Sequence, residues 1–187
     1  MRNLFIYLIA IFMISGCQTS TEKKSEKVEP KAEITEYFIV ISANEVDSRK
    51  INIEINTNFP DETIMRLSLN RTHTLKGSEK EYSGGIFDEL FSVYEGKYSK
   101  IVEINDLDWY NEHLSLVKNL PNDFQPIDKI SDNVNISVLF TPAVKQPENV
   151  LKTLGEFSEF ISGEGVEKFG KMNIFRVKKE YYLPFEK

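Results

Sequence analysis

The sequence predicts a mainly β domain, a β-sandwich of immunoglobulin or fibronectin type III character with one or two short helical insertions. Three runs carry that expectation. Ile51, Ile53 and Ile55 alternate with Asn52, Glu54 and Asn56; Met65, Leu67 and Leu69 alternate with Arg66 and Ser68; Val134, Ile136, Val138 and Phe140 repeat the same two-residue period. A strand turns successive side chains to opposite faces, so each run gives one face to a core and the other to water. No internal repeat and no alternation of strands with helices argues for a different architecture.

The chain has 187 residues, enough for one domain with appendages to bury a core without covalent staples. It begins with Arg2 and an uninterrupted apolar segment, Leu4–Ile14. A bilayer-spanning helix needs about twenty such residues, so this segment suits the apolar region of a signal peptide. Ile14-Ser15-Gly16-Cys17 then places an aliphatic and two small residues directly before the only cysteine. That combination resembles the lipobox of a bacterial lipoprotein. The resemblance implies cleavage between Gly16 and Cys17, and acylation of the Cys17 thiol. A membrane lipid would then be the first partner, and the domain would stand on the extracytoplasmic face of the cell membrane.

Residues 18–36 mix four lysines with five glutamates and contain no aromatic residue, so they are expected to act as a flexible charged linker. The expected organisation is therefore 1–16 signal peptide, 17–36 lipidated cysteine and linker, and 37–187 a single β-sandwich-like domain. Loss of residues 1–16 removes Arg2 and takes the formal charge from −6 to −7. With no basic run to offset that charge, nucleic acid is excluded as a partner.

Within the domain, Tyr37–Ile41 is apolar and β-branched, as a buried strand would be. The Ile51–Ile55 and Met65–Leu69 strands are separated by Asn58-Phe59-Pro60-Asp61, and a Pro-Asp pair suits the centre of a type I turn, so a β-hairpin is expected here. Residues 71–85 read as a polar loop. Ile86, Phe87, Leu90, Phe91 and Tyr94 fit a helix or a strand equally, and so do residues 108–120, where Asp108 would serve as a helix cap. Ile101–Ile104 reads as a strand, and Val134–Phe140 as one that stops before Pro142. Pro147–Leu154 is expected to be a short helix ended by Gly155. A last strand is expected around Met172–Val177.

Thr57-Asn58-Phe59-Pro60-Asp61-Glu62-Thr63 and the strand after it resemble the first hairpin of uncharacterised, secreted β-sandwich lipoproteins of bacilli. Gln146-Pro147 followed by Val150, Leu151 and Gly155 is similar to a downstream motif of the same group. In that group glycine usually stands where this chain has Glu62. The resemblance implies a sandwich fold and no catalytic residue.

Motifs that carry chemistry are incomplete. His73 and His113 have no second ligand at metal spacing. Asn105-Asp106-Leu107-Asp108 begins like a calcium loop, yet Tyr110 and Asn111 occupy the oxygen-ligand and glycine positions. Gly163-Glu164-Gly165 lacks a third glycine and is flanked by acids that repel phosphate. No catalytic residue, metal or cofactor is therefore expected, and the chain is read as a non-enzyme; a metal-assisted enzyme using Asp106 and Asp108 is the weakest alternative. The expected role is an interaction module engaging another envelope protein or a cell-wall component. The alternative is capture of a sugar or small molecule on a surface formed by Trp109 and Tyr110, since aromatic rings offer flat, rigid faces.

Overall fold

The computed structural model describes residues 35–186; the leader, the lipobox Ile14–Cys17 and most of the expected linker lie outside them. In chain order the elements are β1 (Thr35–Glu36), β2 (Ile39–Asp47), β3 (Lys50–Thr57), β4 (Ile64–Leu75), β5 (Glu81–Ser92), β6 (Lys97–Glu103), α1 (Leu107–Asn119), β7 (Ile127–Phe140), α2 (Glu148–Leu154), β8 (Ile161–Ser162), β9 (Val166–Phe169) and β10 (Met172–Tyr182). Strands β5-β4-β7-β10-β9 form one antiparallel sheet and β2-β3-β6 another. β1 pairs in parallel with β8, Thr35 opposite Ile161. The fold is thus mainly β, and its two larger sheets share one core. Among the described residues no helix is long and apolar enough to cross a membrane.

The alternating runs fill that core. Ile51, Ile53 and Ile55 point in from the three-stranded sheet; Met65, Leu67, Leu69, Val134, Ile136, Val138 and Phe140 point in from the five-stranded one, and none is more than 1% exposed. Burying each such side chain contributes about 1.5–3 kcal/mol. Phe59 plugs one end of the core, with its ring centroid 4.6 Å from Tyr37, 5.1 Å from Phe140 and 5.4 Å from Phe175. At one edge the sheets are tied by polar groups. The Tyr98 hydroxyl on β6 donates to Glu89 on β5, and Lys100 meets the other Glu89 oxygen at 2.8 Å. Those bonds, Lys100 first and Tyr98 second, hold the Glu89 carboxyl below its ordinary range, while burial and then Glu89 itself push the Tyr98 hydroxyl up.

The expected hairpin between β3 and β4 does not form. β3 pairs with β2 and β6, whereas β4 pairs with β5 and β7. The Asn58–Thr63 link carries the chain from one sheet to the other. Two strands facing each other across a core show the same inward alternation as two strands side by side, so periodicity alone does not separate the cases. The link itself turns at Pro60–Thr63, where the Thr63 amide donates to the Pro60 carbonyl at 3.2 Å and Glu62 adopts φ +69°. Pro60 therefore precedes the turn centre instead of occupying it.

Other expectations shift at their margins. Thr35 and Glu36, expected to belong to the linker, pair as β1. β2 is an edge strand and not fully buried, with Phe38 just before it 48% and Val40 52% exposed. The expected loop at 71–85 is largely strand: β4 runs to Leu75 and β5 starts at Glu81. The segment from Ile86 is strand, and that following Asp106 is helix α1. Its N-cap is Asp106, not Asp108, and the Asp106 side chain makes no capping bond. α2 matches the expected helix, with Val150 and Leu154 buried and Gly155 at φ +89°. The last strand is longer than expected, reaching Tyr182.

Candidate functional site

β4 sets the local geometry. Its inward phase continues past Leu69 as Arg71 and His73, so a charged and an aromatic polar side chain enter the interior where the pattern would place aliphatic ones. Asp106, at the start of α1, answers Arg71. The Arg71 Nε donates to Asp106 Oδ1 at 2.9 Å and its Nη2 to Oδ2 at 2.8 Å, while Nη1 donates to the Ser131 and Leu183 carbonyls at 2.9 and 2.8 Å. Arg49, from the β2–β3 turn, donates to the same carboxylate and to the Pro184 carbonyl at 2.7 Å. The Trp109 indole N–H adds a longer contact of 3.4 Å. Burial alone would raise the Asp106 carboxyl, but the bonds and charge of Arg71, with help from Arg49 and Trp109, hold it below the usual carboxylate range. Both oxygens accept from guanidinium groups, so this carboxylate serves as an anchor joining the start of α1 to β4 and to the β2–β3 turn.

Beside the anchor lies a small aromatic cleft of about 200 Å³, lined by His73, Gly84, Trp109, Glu112 and His113 among others. The His73 ring stacks between Trp109, 5.1 Å away, and Tyr82, 5.9 Å away, and His113 approaches its edge at 5.7 Å. His73 Nδ1 is buried without a hydrogen bond of ordinary geometry. Burial, then the charge of His113, lower the tendency of His73 to take a proton, and the nearby Arg71 carbonyl only partly offsets this. His113 itself is held by the Gln125 carbonyl, 2.9 Å from Nε2.

Trp109, one of the two expected ligand-surface residues, is 8% exposed. Its ring lies flat on the backbone of Gly84, so close that a Cβ there would stand 2.3 Å from the indole. What Trp109 offers a ligand is confined to the cleft wall. Tyr110 is half-buried and packs its ring 5.3 Å from Phe185. Cys17 and Gly16 lie outside the described residues. Asp108 is exposed on the first turn of α1, and Asp106 is committed to the arginines.

A larger concavity lies on the other side of the five-stranded sheet. It measures about 870 Å³, and its floor is built from the outward residues of β4 and β7. Ser68 stands opposite Ser137 and Asn70 opposite Asn135, with Thr72 further along β4. Arg66, Asp88, Arg176, Lys178, Glu180 and Glu81 rise around this floor. Short side chains at the centre and long ones at the margin make a trough. Register shifts in β4 at Leu69/Asn70 and Arg71/His73 add curvature, since bulged strands bend. The floor is half-buried, yet the hydroxyls of Ser68, Thr72 and Ser137 make no side-chain hydrogen bond to the rest of the described residues.

Sequence reasoning did not single out the trough. The signal was present as small polar residues at period two in both β4 and β7, but it becomes a surface only once those strands are known to pair. No family model matches the chain, and neither does any curated protein or solved structure.

Proposed function

We propose that this chain is a lipid-anchored module of the cell envelope, held at the extracytoplasmic face through Cys17, that binds another envelope component without chemical turnover. The leader and lipobox support the location. The observation that carries the binding role is the trough: a half-buried, concave floor of hydroxyl and amide groups with few partners of their own. These groups are open to solvent, so a partner that offers matching donors and acceptors can replace their water without breaking any bond within the fold. Its volume lies toward the upper end of the roughly 300–1,000 Å³ typical of ligand sites, whereas the Trp109 cleft falls below that range.

We also read the sandwich as fibronectin type III in character. Of its seven principal strands, the first, second and fifth (β2, β3, β6) form one sheet, and the third, fourth, sixth and seventh (β4, β5, β7, β10) the other. That division supports the reading, with α1 and the α2–β9 segment as additions to it.

Crosslinking in living cells tests the role. A photoreactive side chain at Arg66, on the trough rim, is expected to capture a discrete species that disappears in Cys17→Ala. No discrete species, or the same species from a photoreactive group at Glu54 on the other sheet, removes the role. Metabolic labelling with a fatty-acid probe tests the anchor: label on the wild-type chain and none on Cys17→Ala is expected.

A further inference from the structure

We propose that the trough takes an extended, uncharged, polyhydroxylated chain, a neutral oligosaccharide segment lying along β4 and β7; this rests on reading the trough as the binding surface.

The floor decides the chemistry. Ser68, Ser137 and Thr72 each present a hydroxyl that can donate one hydrogen bond and accept others, and the Asn70 and Asn135 amides do both. One Asn135 N–H is directed at the Asn70 carbonyl oxygen at 3.4 Å, which leaves amide donors and acceptors of both residues facing the trough. Donors and acceptors therefore alternate within a few ångströms. A sugar hydroxyl has the same dual character and can meet such a surface at every position. A phosphate or sulfate only accepts, and would leave the floor's acceptors opposed to its own oxygens.

The rim decides the charge. Arg66, Arg176 and Lys178 stand against Glu81, Asp88 and Glu180, three of each sign. Several are already engaged: Arg66 with Asp88 at 3.4 Å, Arg176 with Glu167 at 3.4 Å, and Glu180 with Asn133 at 2.8 Å. A balanced, internally paired rim gives no net field to draw in a polyanion, and the chain's overall charge of −6 opposes one.

Shape and apolar content favour a chain of sugars over a protein surface. From Arg66 to Thr72 the trough runs about 20 Å along β4, and from β5 across β4 and β7 to β10 it spans roughly 14 Å. Protein interfaces rely on buried aromatic and apolar anchors at their centre, whereas the only aliphatic side chain lining this trough is Leu139. The Tyr82 ring is stacked on His73 on the opposite face of the sheet, so Leu139 is the side chain left to meet the C–H face of a sugar ring.

The test uses the full chain in a detergent without a sugar headgroup, titrated calorimetrically with chitotetraose, cellotetraose, maltotetraose and xylotetraose, and with heparin and hyaluronan fragments as acidic comparisons. Saturable binding of at least one neutral oligosaccharide is expected, weakened about tenfold or more in Asn70→Ala/Asn135→Ala and unchanged in Glu54→Ala. Ser137→Gln, which fills the floor with a longer side chain, is expected to abolish binding while its thermal transition stays at the wild-type temperature, separating loss of site from loss of fold. A flat response to every neutral chain, equal or tighter binding of the acidic ones, or binding untouched by both floor variants overturns the proposal. If oligosaccharides titrate flat while a crosslinker at Arg66 captures a discrete protein, the interaction role stands and the sugar assignment falls; if both fail, both fall.

Discussion

The Arg71 guanidinium lies side-on to the Asp106 carboxylate in the interior, with paired bonds of 2.9 and 2.8 Å and neither side chain accessible to solvent. Desolvating two charges is unfavourable, and only the complete set of partners offsets it. Asp106→Ala leaves Arg71 buried without its counter-charge and is expected to lower stability by about 3–5 kcal/mol. Arg71→Met/Asp106→Leu removes both charges and should lose much less than the sum of the single variants, since Arg49 can turn to solvent. Urea unfolding of the single and double variants measures this.

Acid should destabilise the domain in two steps. The His73 folded pKa is lowered, so below about pH 6.5 the unfolded chain binds a proton that the folded one refuses. Stability that is full above that pH declines as pH falls toward the lowered folded value. Asp106 is also lowered, so its contribution is full above the ordinary carboxylate value and is lost as pH falls through the folded one. Unfolding free energy followed from pH 8 to acid should show both declines, and His73→Phe should abolish only the upper one.

Gly84→Ala should displace Trp109. The added methyl carbon would stand 2.3 Å from the indole, so the ring must move off the strand. A loss of about 1–3 kcal/mol is expected from the overpacking. Because this is the only tryptophan, a red shift in intrinsic fluorescence reports the displacement directly.

Glu62→Gly should stabilise the chain. Glu62 sits at φ +69°, where a Cβ is unfavourable by about 1–2 kcal/mol. Glycine's greater freedom in the unfolded chain offsets part of this, as does loss of the 3.2 Å bond from Asn149 to Glu62. A net gain of about 0.5–1 kcal/mol is expected in thermal unfolding.

The parts of the fold legible in the sequence were those in which one physical demand acted alone. Ile51–Ile55 and Val134–Phe140 each have one apolar face and one polar face, and α2 has a proline before it and a glycine after it. Partner choice was not legible, because the alternation of β3 and β4 records that both face a core and not which strand lies beside which. β4 beyond Leu69 was read as loop because Arg71 and His73 break the apolar pattern. They are inward residues whose partners, Asp106 and Trp109, come from a helix over thirty positions away. Trp109 was noticed for its ring, but its burial depends on Gly84, which sequence marks only as a pair of glycines. The trough was divided among four strands, and no single segment carried it.

The two-residue pairing of β1 with β8 gives the domain a mechanical property. Whatever pulls on the residues before Thr35 delivers its load first to the Thr35–Phe160 and Tyr37–Ser162 backbone bonds, not to the long pairing of β2 with β3. So short a stitch yields before the strands that enclose the core. Under tension it would act as a fuse, lengthening the reach of the preceding chain before the longer pairings of the two sheets are loaded.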